Sequence, residues 1–342
     1  MLSLKTICRT PVRINLANGG DTDYYLKEIG WGCVVNVTLS SHFYEFAIND
    51  DEDATLDIVD YFDYIANPNR TYRLESDVSE LDLLKATMKE LDVDVKNSFF
   101  LRTNVPMQSG LGGSSALNVA MISALLQKKG ESIDPHKIAA LSYDIERKRM
   151  NVPGGYQDQY ASAYGSGFNY MEFRKDGVNV NKMELNEDVI EKLEKNLLLF
   201  YIAKRKFSGS RMHDLQKESA EKNAGKIKEL LIEKRGNVLK IKDALLSGDL
   251  DSFGKLLLKE GQIKTKLTGT GNEFFESVMA LALENGALGG KISGAGSGGC
   301  MFFYVPDEKI EGFRNAIAST GAVELNYRFQ RSYEPGILLK TL

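Results

Sequence analysis

A fold that mixes helices with strands, built as two domains or one large α/β unit, is what this sequence predicts. Three observations lead there. The chain has 342 residues, and at roughly 100–200 residues per domain two is the natural count. Stretches that alternate apolar and polar residues are interspersed with stretches whose apolar residues recur every three or four positions. The composition then shifts near residue 180, ahead of a Lys- and Glu-rich segment.

Taken in order, residues 7–14 read as the first strand, and Asn18-Gly-Gly-Asp-Thr-Asp23 as a turn. Residues 33–48 read as further strand, since Cys33-Val-Val-Asn-Val-Thr-Leu is β-rich and His42-Phe-Tyr-Glu-Phe-Ala-Ile alternates. Residues 50–78 are acidic and irregular, as a hairpin with loops would be. Ser79–Leu91 puts Leu81, Leu84, Met88 and Leu91 at helical spacing, and Phe99–Thr103 is a strand. A helix begins near Ser114, where Leu117, Ala120, Met121, Ala124 and Leu125 form one stripe. Asp134-Pro135 caps the next helix, which runs to about Met150. Asn151–Gln157 is a loop, Asp158–Tyr164 a short helix and Gly167–Phe173 an aromatic strand.

In the second half, Leu197–Ile202 is a buried-type strand and Ser219–Leu246 forms solvated amphipathic helices. Phe274–Asn285 is a helix closed by Gly286. Cys300–Val305 is a strand, Phe313–Ser319 a helix and Ala322–Phe329 the final strand. The sequence has no internal repeat.

Composition removes several function classes. The net charge of −4 leaves no basic surplus for coating nucleic acid. Cys8, Cys33 and Cys300 are far apart, as are the three His, so neither a disulfide framework nor a zinc site is expected. Lys5 and Arg9 interrupt any apolar run of a signal peptide, and Leu197–Ala203 is too short to span a bilayer. No membrane partner is expected, and the expected compartment is the cytoplasm.

The strongest local signal is Pro106-Met-Gln108-Ser109-Gly110-Leu111-Gly112-Gly113-Ser114-Ser115-Ala116. A strand leads in, glycines let backbone amides approach an anion, and a helix N-terminus follows. Those are the parts of a phosphate cradle, and a plain Ser-capped turn would not need Gly110, Gly112 and Gly113 together. The string is no Walker A loop, because Gly-Lys-Ser/Thr occurs nowhere. Gly294-Ala-Gly296-Ser-Gly-Gly299 matches GxGxxG, yet a strand follows it rather than a helix, which excludes a dinucleotide fold. It reads either as a glycine hairpin or as a second wall of the first loop.

A phosphate cradle without a P-loop Lys needs another cation, and Mg²⁺ takes oxygen ligands. Ser115 offers a hydroxyl and Glu146 a carboxylate, although spacing alone favours Glu146 as a solvated charge pairing with Arg147–Arg149. Asp158 could orient or deprotonate a hydroxyl, or simply cap its helix. Arg13 sits in an apolar strand and needs a partner, for which Asp158 is one option. Asp21 and Asp23 could bind a polyol or make Asx-turns.

Together these strings resemble the GHMP kinase superfamily of galactokinase, homoserine kinase, mevalonate kinase and phosphomevalonate kinase. Pro11-Val-Arg13-Ile-Asn15-Leu…Thr22-Asp23-Tyr24 is similar to its first motif, Pro106–Ala116 to its second and Lys291-Ile-Ser-Gly-Ala-Gly-Ser-Gly-Gly299 to its third. Tyr143-Asp-Ile-Glu146-Arg147 and Gly154-Gly-Tyr-Gln-Asp158-Gln-Tyr-Ala161 resemble heptose-phosphate kinases most. The resemblance implies a two-domain α+β fold. Residues 1–180 would form a ribosomal protein S5 domain 2-like domain for nucleotide and sugar, and residues 181–342 a ferredoxin-like domain.

It further implies ATP over the second motif, Mg²⁺ on Ser115 and Glu146, Asp158 as the catalytic Asp with Arg13 beside it, and Gly20, Asp21 and Asp23 in the sugar-binding turn. Gly296 would join them from the third motif. Tyr156 stands where heptose-phosphate kinases tend to carry a basic residue, and Lys204-Arg-Lys206…Arg211 could take a substrate phosphate instead; a solvated basic turn fits that segment equally. The implied reaction is phosphorylation of the anomeric hydroxyl of D-glycero-D-manno-heptose 7-phosphate. A free-sugar kinase, a mevalonate-type decarboxylase and a non-catalytic ATP-binding relative are the alternatives. The partner is then a small sugar or sugar phosphate, and a homodimer is one assembly the chain admits.

Overall fold

Two long strands carry the molecule. The computed structural model describes residues 4–18, 22–49, 51–62, 69–94, 96–203, 224–268, 273–294, 298–331, 334 and 336–341. β1 (Leu4–Ala17) and β2 (Trp31–Asn49) pair antiparallel along most of their length, joined through α1 (Thr22–Ile29). β2 is long enough to serve two neighbours on one edge. Its second half pairs with β5 (Phe99–Thr103) and its first half with β6 (Phe168–Arg174). β3 (Thr55–Asp60) runs parallel to β5 and pairs with β4 (Arg70–Arg73), while β7 (Gly177–Lys182) pairs with β6.

Helices cover this sheet. α2 (Asp82–Glu90), α3 (Gly113–Lys128), α4 (Pro135–Asp144) and α5 (Gln157–Tyr164) bury the apolar stripes read in the sequence. Asp134 caps α4 as its spacing predicts, accepting from the amides of His136 at 2.9 Å and Lys137 at 3.1 Å. α4 does not continue as α-helix to Met150. Ile145–Arg149 is a π-helical turn, in which one extra residue per turn re-aims the side chains.

After α6 (Glu187–Asn196), β8 (Leu197–Ala203) opens a second, four-stranded sheet in the order β11-β8-β10-β9. β9 is Gly289–Ile292, β10 is Gly299–Tyr304 and β11 is Val323–Glu324. α8 (Leu250–Thr268) packs against it at β9, and α7 (Ala224–Ser247) packs against α8 and against β1 and β2 of the first sheet, with α9 (Glu273–Glu284) and α10 (Ile310–Ala318) also present. One apolar core holds Val12, Ile14 and Val37 of the first sheet together with Val238, Phe253 and Phe302 of the second unit.

The expected final strand over 322–329 is a correction. Only Val323–Glu324 pairs with β8, and Phe329 bridges back to Leu39. The apolar alternation there seats Leu325 and Phe329 in the core without a ladder. The last strand is instead β12 (Leu338–Thr341), which returns to pair with β1. No helix among the described residues is long and apolar enough to cross a membrane.

Candidate functional site

The site begins with period two on β1. Val12, Ile14 and Leu16 are buried in the apolar core, so Arg13 and Asn15 share the other face. The pairing with β2 shifts register between Asn15 and Ala17, the kind of irregularity that ends a ladder and frees backbone for a site. Across from this face stands the first turn of α5. Arg13 donates to Asp158 Oδ1 from Nε at 2.9 Å and from Nη2 at 2.7 Å, while Asn15 Nδ2 donates to Gln157 Oε1.

The glycine-rich loop lies directly over that pair. Arg13 Nη1 also donates to the Gly110 carbonyl at 2.6 Å, and the Arg13 amide to the Leu111 carbonyl at 3.0 Å. Gln108, Gly110 and Gly112 have φ of 60°, 83° and 80°. Left-handed residues alternating along a loop turn successive amides into an anion-binding concavity. A Cβ on Gly112 would lie 3.4 Å from Arg13 Cζ and 3.5 Å from Asp158 Cγ. The cradle therefore borders the acid, with only the space of a methyl group between Gly112 and the pair. No side chain caps α3, so its first amides and its dipole face the same space.

The third glycine string walls the second. The Cys300 amide donates to the Ser109 carbonyl at 2.7 Å and Ser293 Oγ to the Gly110 carbonyl at 2.9 Å. Gly299 makes this approach: a Cβ there would collide with the Ser109 carbonyl oxygen.

Two carboxylates serve the site, and their surroundings differ. Asp158 keeps 24% of its side chain exposed. Burial alone raises its pKa, but the charge and hydrogen bonds of Arg13, the Gln157 amide and the charge of Arg147 hold it below the ordinary Asp range. Glu146, 3% exposed, is pushed up by burial, against the opposing pull of Arg147 and Ser115. Ser115 Oγ donates to Glu146 Oε2 at 3.1 Å and Ser142 Oγ to Oε1 at 3.3 Å. The Ser115 hydroxyl and the Glu146 carboxylate are thus adjacent hard oxygens beside the cradle, a donor set that suits Mg²⁺ with phosphate and water completing the shell.

Two sequence alternatives are corrected here. Glu146 is not a solvated helix charge, because it follows Ser142 by four residues on the face that buries Ile138, Ala139 and Ile145. Asp158 is not a helix cap, because Tyr156 holds that position and Asp158 lies inside α5. Thr22 and Asp23 do not belong to a turn: they start α1, where Asp23 is exposed and accepts from the Tyr143 hydroxyl at 3.1 Å. Gly20, Asp21, Gly296 and Arg211, with the basic segment from Lys204, lie outside the described residues. Pro106 and Ser109 are buried in the loop, whereas Gln108 and Ser114 are exposed.

Sequence reasoning missed four residues. Arg147 donates to Glu146 at 3.3 Å and to the carbonyls of Val152 at 3.1 Å and Gly155 at 3.3 Å, so it ties the π-turn to the loop before Asp158. Its signal was the Glu-Arg pair itself. Lys291 Nζ donates to Asn15 Oδ1 at 2.6 Å and to the carbonyls of Asn15 and Asn18 at 3.2 Å each. Asn15 and Gln157 lay within the quoted strings, but nothing local indicated that they touch.

The family model of the GHMP kinases N terminal domain matches residues 80–166, and that of the GHMP kinases C terminal matches residues 241–323. A D-glycero-alpha-D-manno-heptose 7-phosphate kinase from Campylobacter jejuni is 33% identical over 317 residues, 90% of this chain and 91% of the relative. The crystal structure of a D-glycero-D-manno-heptose 1-phosphate kinase from Bacteroides thetaiotaomicron superposes with a TM-score of 0.75 at 23% identity, covering 98% of this chain and 99% of that one. A Lactococcus lactis galactokinase complexed with galactose gives 0.71 at 18% identity, covering 95% and 93%. The last two likenesses concern the fold.

Proposed function

This chain belongs to the GHMP kinases, ATP-dependent phosphotransferases with a two-domain α+β fold, and from that premise we propose that it phosphorylates the anomeric hydroxyl of D-glycero-D-manno-heptose 7-phosphate. The observation that carries the chemistry is that Arg13, ion-paired with Asp158 at 2.7 Å, also donates to the Gly110 carbonyl of the cradle at 2.6 Å. The heptose relative, similar across nearly the whole chain, supports the substrate. We also take the chain to divide near residue 180, which leaves β12 of the second half in the sheet of the first. The reaction is assigned to the cytoplasm, in keeping with buried cysteines that no disulfide joins among the described residues.

The amides from Gly110 to Ser115 receive the β- and γ-phosphates, where the left-handed loop and the α3 dipole favour negative charge. Asp158 presents a carboxylate to the acceptor hydroxyl. As the acceptor oxygen bonds to the γ-phosphorus, the bond to the β-phosphate oxygen breaks and ADP leaves; the hydroxyl proton passes to Asp158. Because phosphoryl transfer has a loose transition state, late proton removal suffices. Arg13 keeps Asp158 ionised and fixed. Ser115 and Glu146 would hold Mg²⁺, which when bound neutralises charge on the phosphoryl oxygens.

An ADP-release assay with ATP and a panel of acceptors tests this reading. The expected result is turnover on heptose 7-phosphate exceeding that on free heptose, galactose and mevalonate by at least about tenfold, the discrimination expected when a bound charged group is lost. Preference for a free sugar would overturn the substrate, and release of CO₂ from a mevalonate diphosphate would overturn the reaction class.

A further inference from the structure

Every recorded hydrogen bond on Asp158 lands on one oxygen. Oδ1 accepts from Arg13 Nε at 2.9 Å, Arg13 Nη2 at 2.7 Å and Gln157 Nε2 at 3.0 Å. Oδ2 has no partner among the described residues. Arg13 therefore grips the carboxylate at a single atom, unlike the usual fork on two oxygens. With Oδ1 taken by two donors from Arg13 and one from Gln157, exchanging the two carboxylate oxygens would cost all three hydrogen bonds, and Oδ2 is left clear for another partner.

The orientation of Gln157 is set from far away. Lys291 Nζ meets three oxygens, Asn15 Oδ1 at 2.6 Å and the carbonyls of Asn15 and Asn18 at 3.2 Å each, and the three donors of an ammonium match them. That fixes the Asn15 amide with Nδ2 toward Gln157 Oε1. Gln157 is thereby fixed with Nε2 toward Asp158. Were the chain reversed, an amide oxygen would face the carboxylate, acceptor against acceptor. Lys291, Asn15 and Gln157 are all almost fully buried, so water cannot substitute for a missing member without a cavity to hold it.

We propose that Lys291, Asn15 and Gln157 are positioning residues whose one-way chain of donors fixes the Asp158 carboxylate, turning Oδ2 to the acceptor hydroxyl. The third glycine motif then acts on the acceptor side of the reaction through Lys291 at its start, as well as walling the phosphate loop. This rests on the reading of Asp158 as the residue that takes the acceptor proton.

The test uses the acceptor giving the highest ADP release, with kcat, the KM for ATP and binding of a non-hydrolysable ATP analogue measured for each variant. Gln157→Met keeps the volume and removes the donor. It should lower kcat about tenfold or more, since a misplaced reacting group costs up to about 10²-fold, with the KM for ATP and analogue binding within about twofold of wild type on the same grounds. Lys291→Met should show the same split, and Lys291→Arg should recover most of the loss.

Gln157→Met is then placed in an Asp158→Asn background, where it should cause no further loss. A structural role alone predicts the same fold loss in both backgrounds, and that result overturns the proposal, as does a single Gln157→Met variant with wild-type kcat. If Lys291→Met does not fold, the Gln157 comparison decides alone. Near wild-type turnover by Asp158→Asn is a separate outcome: it removes the acid from the reaction and this proposal with it.

Discussion

Asp158 and Glu146 are carboxylates of one site, yet their surroundings push them in opposite directions. Asp158 has a resident cation, Arg13, at 2.7 Å, and is held ionised below the ordinary range despite its burial. Glu146 is more deeply buried, takes hydrogen bonds from two hydroxyls and has Arg147 at 3.3 Å, and its carboxyl is raised. The first is a finished ion pair. The second is a desolvated carboxylate that a further cation would satisfy. On the proposed reading, local electrostatics separates the group that would meet the acceptor from the group that would meet a metal.

The sharpest way to break this comparison is at Asp158. Asp158→Asn should lower kcat by about 10²–10⁴-fold, the range for loss of a general base, with nucleotide affinity by calorimetry nearly unchanged. An equal loss of nucleotide affinity would mean that Asp158 belongs to the phosphate site instead.

Arg13→Met comes next, with kcat falling about 10²-fold through loss of acid orientation. It also carries a pH signature. The native pKa of Asp158 is depressed, so the stability it contributes is present above its unfolded pKa and is lost as pH falls through the native one. Activity in the wild type should therefore persist to below the usual carboxylate range. Removing Arg13 should move the acid limb of the kcat/KM profile to higher pH, and an unmoved limb would detach Arg13 from the titration.

Glu146→Gln sharpens the other half. The half-saturating Mg²⁺ concentration should rise about tenfold or more, as for loss of one charged ligand. Without metal the sign reverses, because an acid with a raised native pKa destabilises the fold as pH rises through its titration. The variant should then melt above wild type at neutral pH, and added Mg²⁺ should stabilise wild type only. A lower metal-free melting temperature would contradict the raised pKa.

The smallest expected effect is at the contact between the two regions. Gly112→Ala places a Cβ against Arg13 and Asp158 at a φ of +80°, and the left-handed backbone alone costs about 1–2 kcal/mol. The expected result is a lower melting temperature and a raised KM for ATP, read by scanning calorimetry and steady-state kinetics.

How much of this was legible in the sequence follows from the range of the forces involved. Period two and period 3.6 are local, and they located β1, β2, β5, α3 and α4 well. The cradle was legible because glycine is demanded by backbone geometry within a few residues. Glu146 was not, because a carboxylate followed by Arg147–Arg149 reads as solvated, although it continues the buried face of Ile138, Ala139, Ser142 and Ile145, and only the packing against Ser115 shows that this face stays buried there. Arg13 and Asp158 could be nominated as partners but not placed, since 145 positions separate them. Lys291 and Asn15 are 276 apart, and only tertiary packing joins them. The misplaced final strand shows the converse: Leu325 and Phe329 alternate correctly for burial, but ladder pairing is supplied elsewhere, by Leu338–Thr341 on β1.

The most direct test of the central claim is a crystal structure with a non-hydrolysable ATP analogue and heptose 7-phosphate bound together. The terminal phosphate is expected on the amides between Gly110 and Ser115, with the anomeric oxygen within about 2.6–3.2 Å of Asp158 Oδ2. A nucleotide seated away from those amides, or an acceptor hydroxyl facing a residue other than Asp158, would contradict it.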